Sequence, residues 1–140
     1  MNKTYYKITN AKENHNGFQY KDGLNILIEE FNDNPEAHCC TGGLYFTDAK
    51  NIFEFLDYGV YLREIMLPVE NPDFKMVKDE NKYRANMIVL GKRYELFNVE
   101  TIKMLIEAGA DADKDYALWY SAREGHLEIV KYLIEAGAKY

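Results

Sequence analysis

The sequence predicts an α+β protein, in which a small mixed or antiparallel sheet is followed by about one and a half helical repeats. The strongest observation is an internal repeat, because residues 99–110 recur, with conservative changes, as residues 127–138. Such self-similarity is typical of stacked supersecondary units, since one helical hairpin cannot bury its apolar face alone. The second observation is that residues 1–97 carry short strand-like segments between turn-forming residues.

These observations divide the chain into two parts. Residues 1–97 form the predicted α+β domain. Residues 98–110 are half a repeat and residues 111–140 a full one. These three helices make up about one and a half repeats, below the roughly three repeats that a solenoid usually needs, so we expect the N-terminal domain to support them.

The N-terminal strands begin early in the chain. Residues 5–8 predict a short strand, residues 9–17 a polar loop, and residues 18–20 a second extended segment before a turn at residues 21–23. Residues 25–31 fit either a strand or a helical turn.

A strand and a helix follow Gly42-Gly43. Residues 44–46 predict the strand, and Thr47 or Asp48 is the candidate cap of a helix that ends at Gly59. The predicted apolar face of this helix consists of Ile52, Phe55 and Leu56.

Two longer strands complete the predicted sheet. Residues 60–67 are apolar on both faces, which predicts a central strand that ends at Pro68. Residues 71–82 predict a polar connection, and residues 85–90 a last strand that ends at Gly91.

The repeated segments predict amphipathic helices. Their apolar residues recur at helical spacing: Val99, Ile102, Leu105 and Ile106 in the first copy, and Leu127, Val130, Leu133 and Ile134 in the second. Gly109 and Gly137 lie where a helix ends in a left-handed conformation. Asp113 and Asp115 are candidate N-caps of a helix that starts near Tyr116.

The order of residues within the second copy resembles an ankyrin repeat. Ala122, the turn at Gly125-His126, the run Glu128-Ile129-Val130-Lys131 and the closing Ala136-Gly137-Ala138 all follow the ankyrin pattern. The resemblance implies that His126 has a structural role in the turn. It also implies a protein that binds other proteins and is not an enzyme.

The chain as a whole resembles the ankyrin-repeat proteins of giant amoeba-infecting viruses. The resemblance rests on residues 15–20, 23–25, 42–47 and 85–91, followed by the repeats. It implies an intracellular binding protein that acts in the cytoplasm of an infected host.

The ankyrin resemblance also implies a binding surface on the inner helix and the loop before it. The predicted surface consists of Asp113, Lys114, Asp115, Tyr116, Trp119, Tyr120 and Arg123. Trp, Tyr and Arg are the side chains that most often dominate binding energy. The alternative is that Trp119 packs against the N-terminal domain. A further alternative is a homodimer through the C-terminal helices, since no polar terminal repeat follows the second copy.

Composition limits the other functions. The net charge of −6 argues against nucleic acid or an anionic membrane as the main partner. The sequence has no signal peptide and no apolar run of about 18 residues, which predicts a cytoplasmic protein. No hydrolase, phosphate-loop or zinc-protease motif occurs, so we expect no cofactor.

The cysteine pair predicts no metal site. Cys39 and Cys40 are adjacent and follow His38. Neighbouring cysteines rarely form a disulfide, and two such ligands in one strand cannot complete a tetrahedral zinc shell. We expect reduced structural thiols.

A second resemblance belongs to another functional class. The order of His15-Asn16-Gly17 and Gly43-Leu44-Tyr45-Phe46 is similar to the NAD-binding face of ADP-ribosyltransferases of the polymerase type. It implies that His15 would hold a ribose and Tyr45 would stack on nicotinamide. The family's chemistry also needs a glutamate on a late strand, and residues 85–90 contain none.

Overall fold

A computed structural model of the protein describes residues 3–34, 42–111 and 115–137. The strands are β1 (Tyr5–Thr9), β2 (Asn14–His15), β3 (Phe18–Gln19), β4 (Gly23–Ile26), β5 (Leu44–Phe46), β6 (Tyr61–Met66), β7 (Met76–Asp79), β8 (Lys82–Ala85) and β9 (Met87–Glu95). The helices are a 3-10 helix (Ala49–Tyr58), α1 (Val99–Glu107), α2 (Asp115–Arg123) and α3 (Leu127–Glu135).

Four strands form the main sheet, in the order β1-β6-β9-β4, and every neighbouring pair is antiparallel. The prediction that β6 is a central strand is confirmed. Its residues Leu62 and Ile65 are fully buried on opposite sides of the sheet, in two separate apolar clusters. Of the ambiguous segment at residues 25–31, only residues 25 and 26 are extended, as part of β4, an edge strand that pairs with β9, whereas residues 27–31 form neither strand nor helix.

The last strand is longer than predicted. Gly91 does not end it, because β9 continues to Glu95. Leu62 and Arg63 of β6 pair with Tyr94 and Arg93 of β9, and the register shifts between Arg63 and Ile65. Pairing with β6 stabilises the part of β9 beyond Gly91. The sequence of residues 85–91 gives no indication of this pairing, because the partner strand lies far away in the chain.

The predicted polar connection at residues 71–82 is wrong, because its second half forms β7. This strand pairs antiparallel with β8, which in turn pairs with β5 to give a three-stranded sheet. The turn between β7 and β8 places Glu80 at a φ of 55°. The predicted loop at residues 9–17 likewise contains β2, which pairs with β3.

The helix after β5 has 3-10 geometry. The Asp48 side chain accepts a hydrogen bond from the backbone N–H of Asn51 at 3.1 Å, so Asp48 is the cap. Of the predicted apolar face, Phe55 packs against the core but is only partly buried, and it lies at a kink with non-helical angles. Phe53 is buried instead, together with Ile52 and Leu56.

Gly59 ends this helix for a different reason from the one predicted. Its φ of 173° is extended and is accessible to any residue. The constraint is space, because a Cβ atom at this position would lie 2.1 Å from the carbonyl oxygen of Thr9. Glycine is needed here because the two backbones touch.

The repeat helices share one apolar core with the sheet. Their buried residues include Ile102 and Leu105 of α1, Ala117 and Leu118 of α2, and Ile129 and Leu133 of α3. These side chains form a single cluster with the 3-10 helix and with Tyr6, Ile8 and Leu62 of β1 and β6. The helices therefore bury their apolar faces against the N-terminal part of the chain as well as against one another.

Candidate functional site

Helix α2 presents a group of aromatic and basic side chains at the surface. Trp119 is 53% exposed, so it is not buried against the N-terminal domain. Its indole ring lies 5.9 Å from the ring of Tyr116 and 5.3 Å from the Arg123 guanidinium. A guanidinium over an aromatic face is attracted by the ring quadrupole. Both Trp119 and Arg123 are exposed. The structure thus brings three of the predicted binding residues into one patch.

Tyr116 and Tyr120 are more buried than Trp119. Their rings lie 5.9 Å apart, and Tyr120 also lies 5.9 Å from Phe97. Burial raises the pKa of both phenols, and the Asp57 carboxylate raises that of Tyr116 further. Both hydroxyls are therefore neutral donors at physiological pH.

The remaining predicted partner-binding residues are Asp113, Lys114 and Asp115. Asp113 and Lys114 are outside the described residues. Asp115 is the first residue of α2.

The predicted turn residues lie at the ends of the repeat helices. Gly109 and Gly137 follow α1 and α3 with φ values of 116° and 105°, a region that favours glycine. Gly125, with a φ of 78°, precedes His126 in the turn between α2 and α3. The His126 ring stacks on Phe97 at 4.3 Å, so it contacts the segment that leads into α1.

A second candidate site is a cavity of about 220 Å³ beside β1 and β5. His15 and Tyr45 both line it, and their ring centroids lie 6.5 Å apart. Tyr58, at the end of the 3-10 helix, also lines the cavity and lies 6.4 Å from His15. The two residues that the transferase resemblance singles out therefore share one aromatic wall.

Two lysines give this cavity a basic character. Lys7 is 5% exposed and donates a 2.7 Å hydrogen bond to the backbone carbonyl of Tyr45. Lys82 lies 5.3 Å from the centroid of the Tyr45 ring. Burial lowers the pKa of the Lys7 ammonium to about 7. Burial also lowers the pKa of His15, and the charges of Lys7 and Lys82 lower it further.

The cavity contains no acid for transferase chemistry among its described lining residues. That lining consists of Tyr6, Lys7, Ile8, His15, Asn16, Tyr45, Phe46, Thr47, Ile52, Phe55, Tyr58 and Lys82. A site that stabilises an oxocarbenium-like centre needs a carboxylate nearby. The cavity has room for a small molecule, but its described lining residues include no carboxylate for ADP-ribosyl transfer.

Sequence reasoning missed Lys7, Tyr58 and Lys82 as members of this site. Lys7 alternates with Tyr6 and Ile8 in a short strand, which predicts a side chain directed away from the apolar core. Both faces of β1 are covered, so Lys7 is buried instead. No local signal in the sequence reveals that second covering layer.

The described part of the chain was found to hold neither a cluster of metal ligands nor a membrane-spanning helix. Within residues 3–34, 42–111 and 115–137, no group of three or more His, Cys, Asp or Glu side chains could hold a metal ion. His38, Cys39 and Cys40 lie outside these ranges. In the same described ranges, no helix has the length and apolar character needed to cross a membrane.

Comparison with known proteins defines the class. A sequence model of ankyrin repeats in three copies matches residues 60–140, more than half of the chain. The protein belongs to the ankyrin-repeat family. The matched span begins in β6, so it includes strands as well as the three repeat helices.

The relatives are proteins of Acanthamoeba polyphaga mimivirus, so the resemblance to giant-virus ankyrin proteins is confirmed. The chain is 48% identical to one named an ankyrin repeat protein (R868), over 95% of this chain and 67% of the relative. It is 50% identical to an uncharacterised protein (R869), over 94% of this chain and 98% of the relative. A third, named an ankyrin repeat protein (R896), is 49% identical over 95% of this chain and 41% of its own length. No solved structure matches the chain.

Proposed function

We propose that the protein is a non-enzymatic binding module that captures a protein partner through α2. The observation that carries this proposal is the patch of Trp119, Tyr116 and Arg123 on an ankyrin-type helix, with Trp119 half exposed. The protein has a net charge of −6, so the positive charge of Arg123 beside Trp119 makes this part of the surface locally basic. Side chains of these types dominate many protein interfaces because they bury large areas at low entropic cost.

The partner acts in the cytoplasm of the infected host and is a host or viral protein. The mimivirus relatives support this setting, because their virus infects Acanthamoeba. The acidic charge of the chain argues against nucleic acid as the target.

The test is a pull-down from Acanthamoeba lysate with the full chain and with the double variant Trp119→Ala, Arg123→Ala. Tyr120 is left intact, because its contact with Phe97 contributes to the fold. Lys131→Ala on the exposed face of α3 is the matched control. A partner that binds the wild type and the control but is lost from the double variant supports the proposal. Equal recovery by all three chains would remove it.

Self-association is a second candidate, favoured by the exposed face of α3. Leu127 is 71% exposed and Ile134 41% exposed, and they lie two turns apart on the same side of the helix. Sedimentation equilibrium at micromolar concentration tests whether these helices form a homodimer. At about 100 μM even a weak homodimer would form. A protein that is still monomeric at that concentration would exclude self-association.

NAD binding by a degenerate transferase-like domain is a third candidate. It is favoured by one observation, the adjacency of His15 and Tyr45 in a single cavity. Calorimetric titration with NAD, repeated with His15→Ala and Tyr45→Ala, distinguishes it from the binding module. Absence of heat with the wild type would eliminate the candidate.

A further inference from the structure

Lys7 is a buried amine that forms no ion pair with a carboxylate of the described residues. Its ammonium donates to the Tyr45 carbonyl and lies 4.7 Å from the centroid of the Tyr20 ring. Across residues 3–34, 42–111 and 115–137, no carboxylate forms an ion pair with it. Buried charges are normally paired, because an unpaired one loses its hydration without compensation. An ammonium also carries three donors, so Lys7 has capacity for a further acceptor.

The free capacity of Lys7 adjoins the cavity. Lys7 lines it together with Lys82, which approaches from β8. Two cationic side chains around one opening favour an anionic group there. They disfavour a metal ion or a cationic ligand.

The rest of the cavity wall is aromatic. The rings of His15, Tyr45, Tyr58 and Phe55 line it. His15 is inclined by 67° to Tyr45 and by 65° to Tyr58, and Phe55 meets Tyr58 edge to face at 5.3 Å. Such a wall presents both ring faces and ring edges, which suits a planar aromatic group.

We infer that this cavity binds a small aromatic anion, which is an aromatic ring that carries one phosphate or carboxylate. The anionic group pairs with Lys7 and Lys82. The ring packs on His15, Tyr45 and Tyr58. The volume of about 220 Å³ sets the size. It is below the range of roughly 300–1,000 Å³ for drug-sized ligands. It accommodates a ring and its anionic group, whereas the remainder of a larger molecule would extend into solvent.

Anion binding at this site is coupled to proton uptake. The groups that face Lys7 are Glu13, His15, Tyr20, Tyr45, Tyr58, Arg63 and Lys82. Glu13 is already paired with Arg63, and the pKa of Tyr20 is raised by burial. With its pKa lowered to about 7, Lys7 is mostly neutral at pH 8. An anion beside it raises that pKa, so binding at pH 8 draws up to about one proton from the buffer.

The experiment is isothermal titration calorimetry of the full chain at pH 8 in two buffers of different ionisation enthalpy. The probes are AMP and benzoate, which represent the phosphate and carboxylate sources. Adenosine and inorganic phosphate test the ring and the anion separately. The expected result is binding of AMP, benzoate or both with proton uptake, and at least tenfold weaker binding of adenosine and of phosphate.

Two variants link binding to the cavity. Lys7→Met keeps a long apolar side chain in the buried position, and Lys78→Met removes a lysine on β7 that does not line the cavity. Circular dichroism first establishes that both are folded. We expect Lys7→Met to weaken binding at least tenfold and to abolish proton uptake, and Lys78→Met to change neither.

Three results would overturn the inference. One is no binding of AMP or benzoate at millimolar concentration. Another is phosphate or adenosine binding as tightly as the complete aromatic anion. The third is unchanged affinity and proton uptake in folded Lys7→Met.

Discussion

The ring of His126 stacks on the ring of Phe97, with centroids 4.3 Å apart and planes inclined by 6°. Phe97 belongs to the short link between β9 and α1, whereas His126 belongs to the turn between α2 and α3. The contact therefore ties the second repeat to the junction between sheet and helices. It contributes to the attachment of the repeat helices to the sheet.

The first prediction concerns the energy of this stack. Phe97→Leu and His126→Ala should show a coupling of about 1 kcal/mol in a double-mutant cycle, since stacked rings contribute roughly that much beyond burial. Urea unfolding of the four proteins measures it. Phe97→Leu paired with Trp119→Ala is the control and should be additive. Additivity in the Phe97 and His126 cycle would contradict the proposed role of the stack.

The second prediction concerns Gly59. Gly59→Ala should lower the free energy of unfolding by about 3 kcal/mol, because the new Cβ would overlap the Thr9 carbonyl and the backbones must separate. Gly91→Ala is the matched control, since a Cβ there lies 3.4 Å from the nearest atom, an ordinary contact. Chemical denaturation of both variants provides the comparison. Equal losses would mean that the close approach to Thr9 is unimportant.

The third prediction concerns the buried Arg63. This side chain is 2% exposed and donates to Glu13 at 3.0 Å, to Asp22 at 2.5 Å and to the Gly91 carbonyl at 2.8 Å. Arg63→Met should lower the free energy of unfolding by about 3 kcal/mol, because it leaves Glu13 partly buried without its main partner. Arg93→Met, which removes a half-exposed arginine from the same cluster, should cost less than about 1 kcal/mol.

The same variant provides an independent check by NMR. The hydrogen bond from Arg63 holds the pKa of Asp22 below its ordinary value. In Arg63→Met the carboxyl pKa of Asp22 should rise, whereas in Arg93→Met it should change little. A pKa of Asp22 that is the same in all three proteins would show that Arg63 does not bind this carboxylate in solution.

The fourth prediction concerns the effect of Lys7 on the pH dependence of stability. Its pKa falls from about 10.5 in the unfolded chain to about 7 in the folded one, because burial penalises the charge. Between these values the unfolded chain binds more protons, so stability should rise with pH across this window. Lys7→Met should lack that rise. Its stability relative to the wild type should be highest at pH 6 and should decline by pH 9.5.

Urea unfolding at pH 6, 8 and 9.5 measures this difference, with Lys78→Met as the control for loss of an exposed lysine. Stability differences that stay constant across the three pH values would mean that Lys7 titrates normally in the folded protein.

The sequence alone predicted the features that depend on neighbouring residues. The repeat at residues 99–110 and 127–138 predicted α1 and α3, because apolar spacing and a terminal glycine are local signals. The strand at residues 44–46 and the Asp48 cap were recognisable for the same reason. The ankyrin family could be inferred from short ordered motifs, and the comparisons confirm it.

Only the tertiary structure decided the features that depend on distant pairing. The strand β7 and the extension of β9 exist because other strands supply their hydrogen bonds, and no window of the sequence contains both partners. The burial of Lys7 likewise requires layers on both faces of β1. The cavity where Lys7 meets His15, Tyr45, Tyr58 and Lys82 is assembled from residues up to 76 positions apart in the chain, from Tyr6 to Lys82. Sequence periodicity reports which face of an element is apolar, whereas the position of a site depends on which elements pack together.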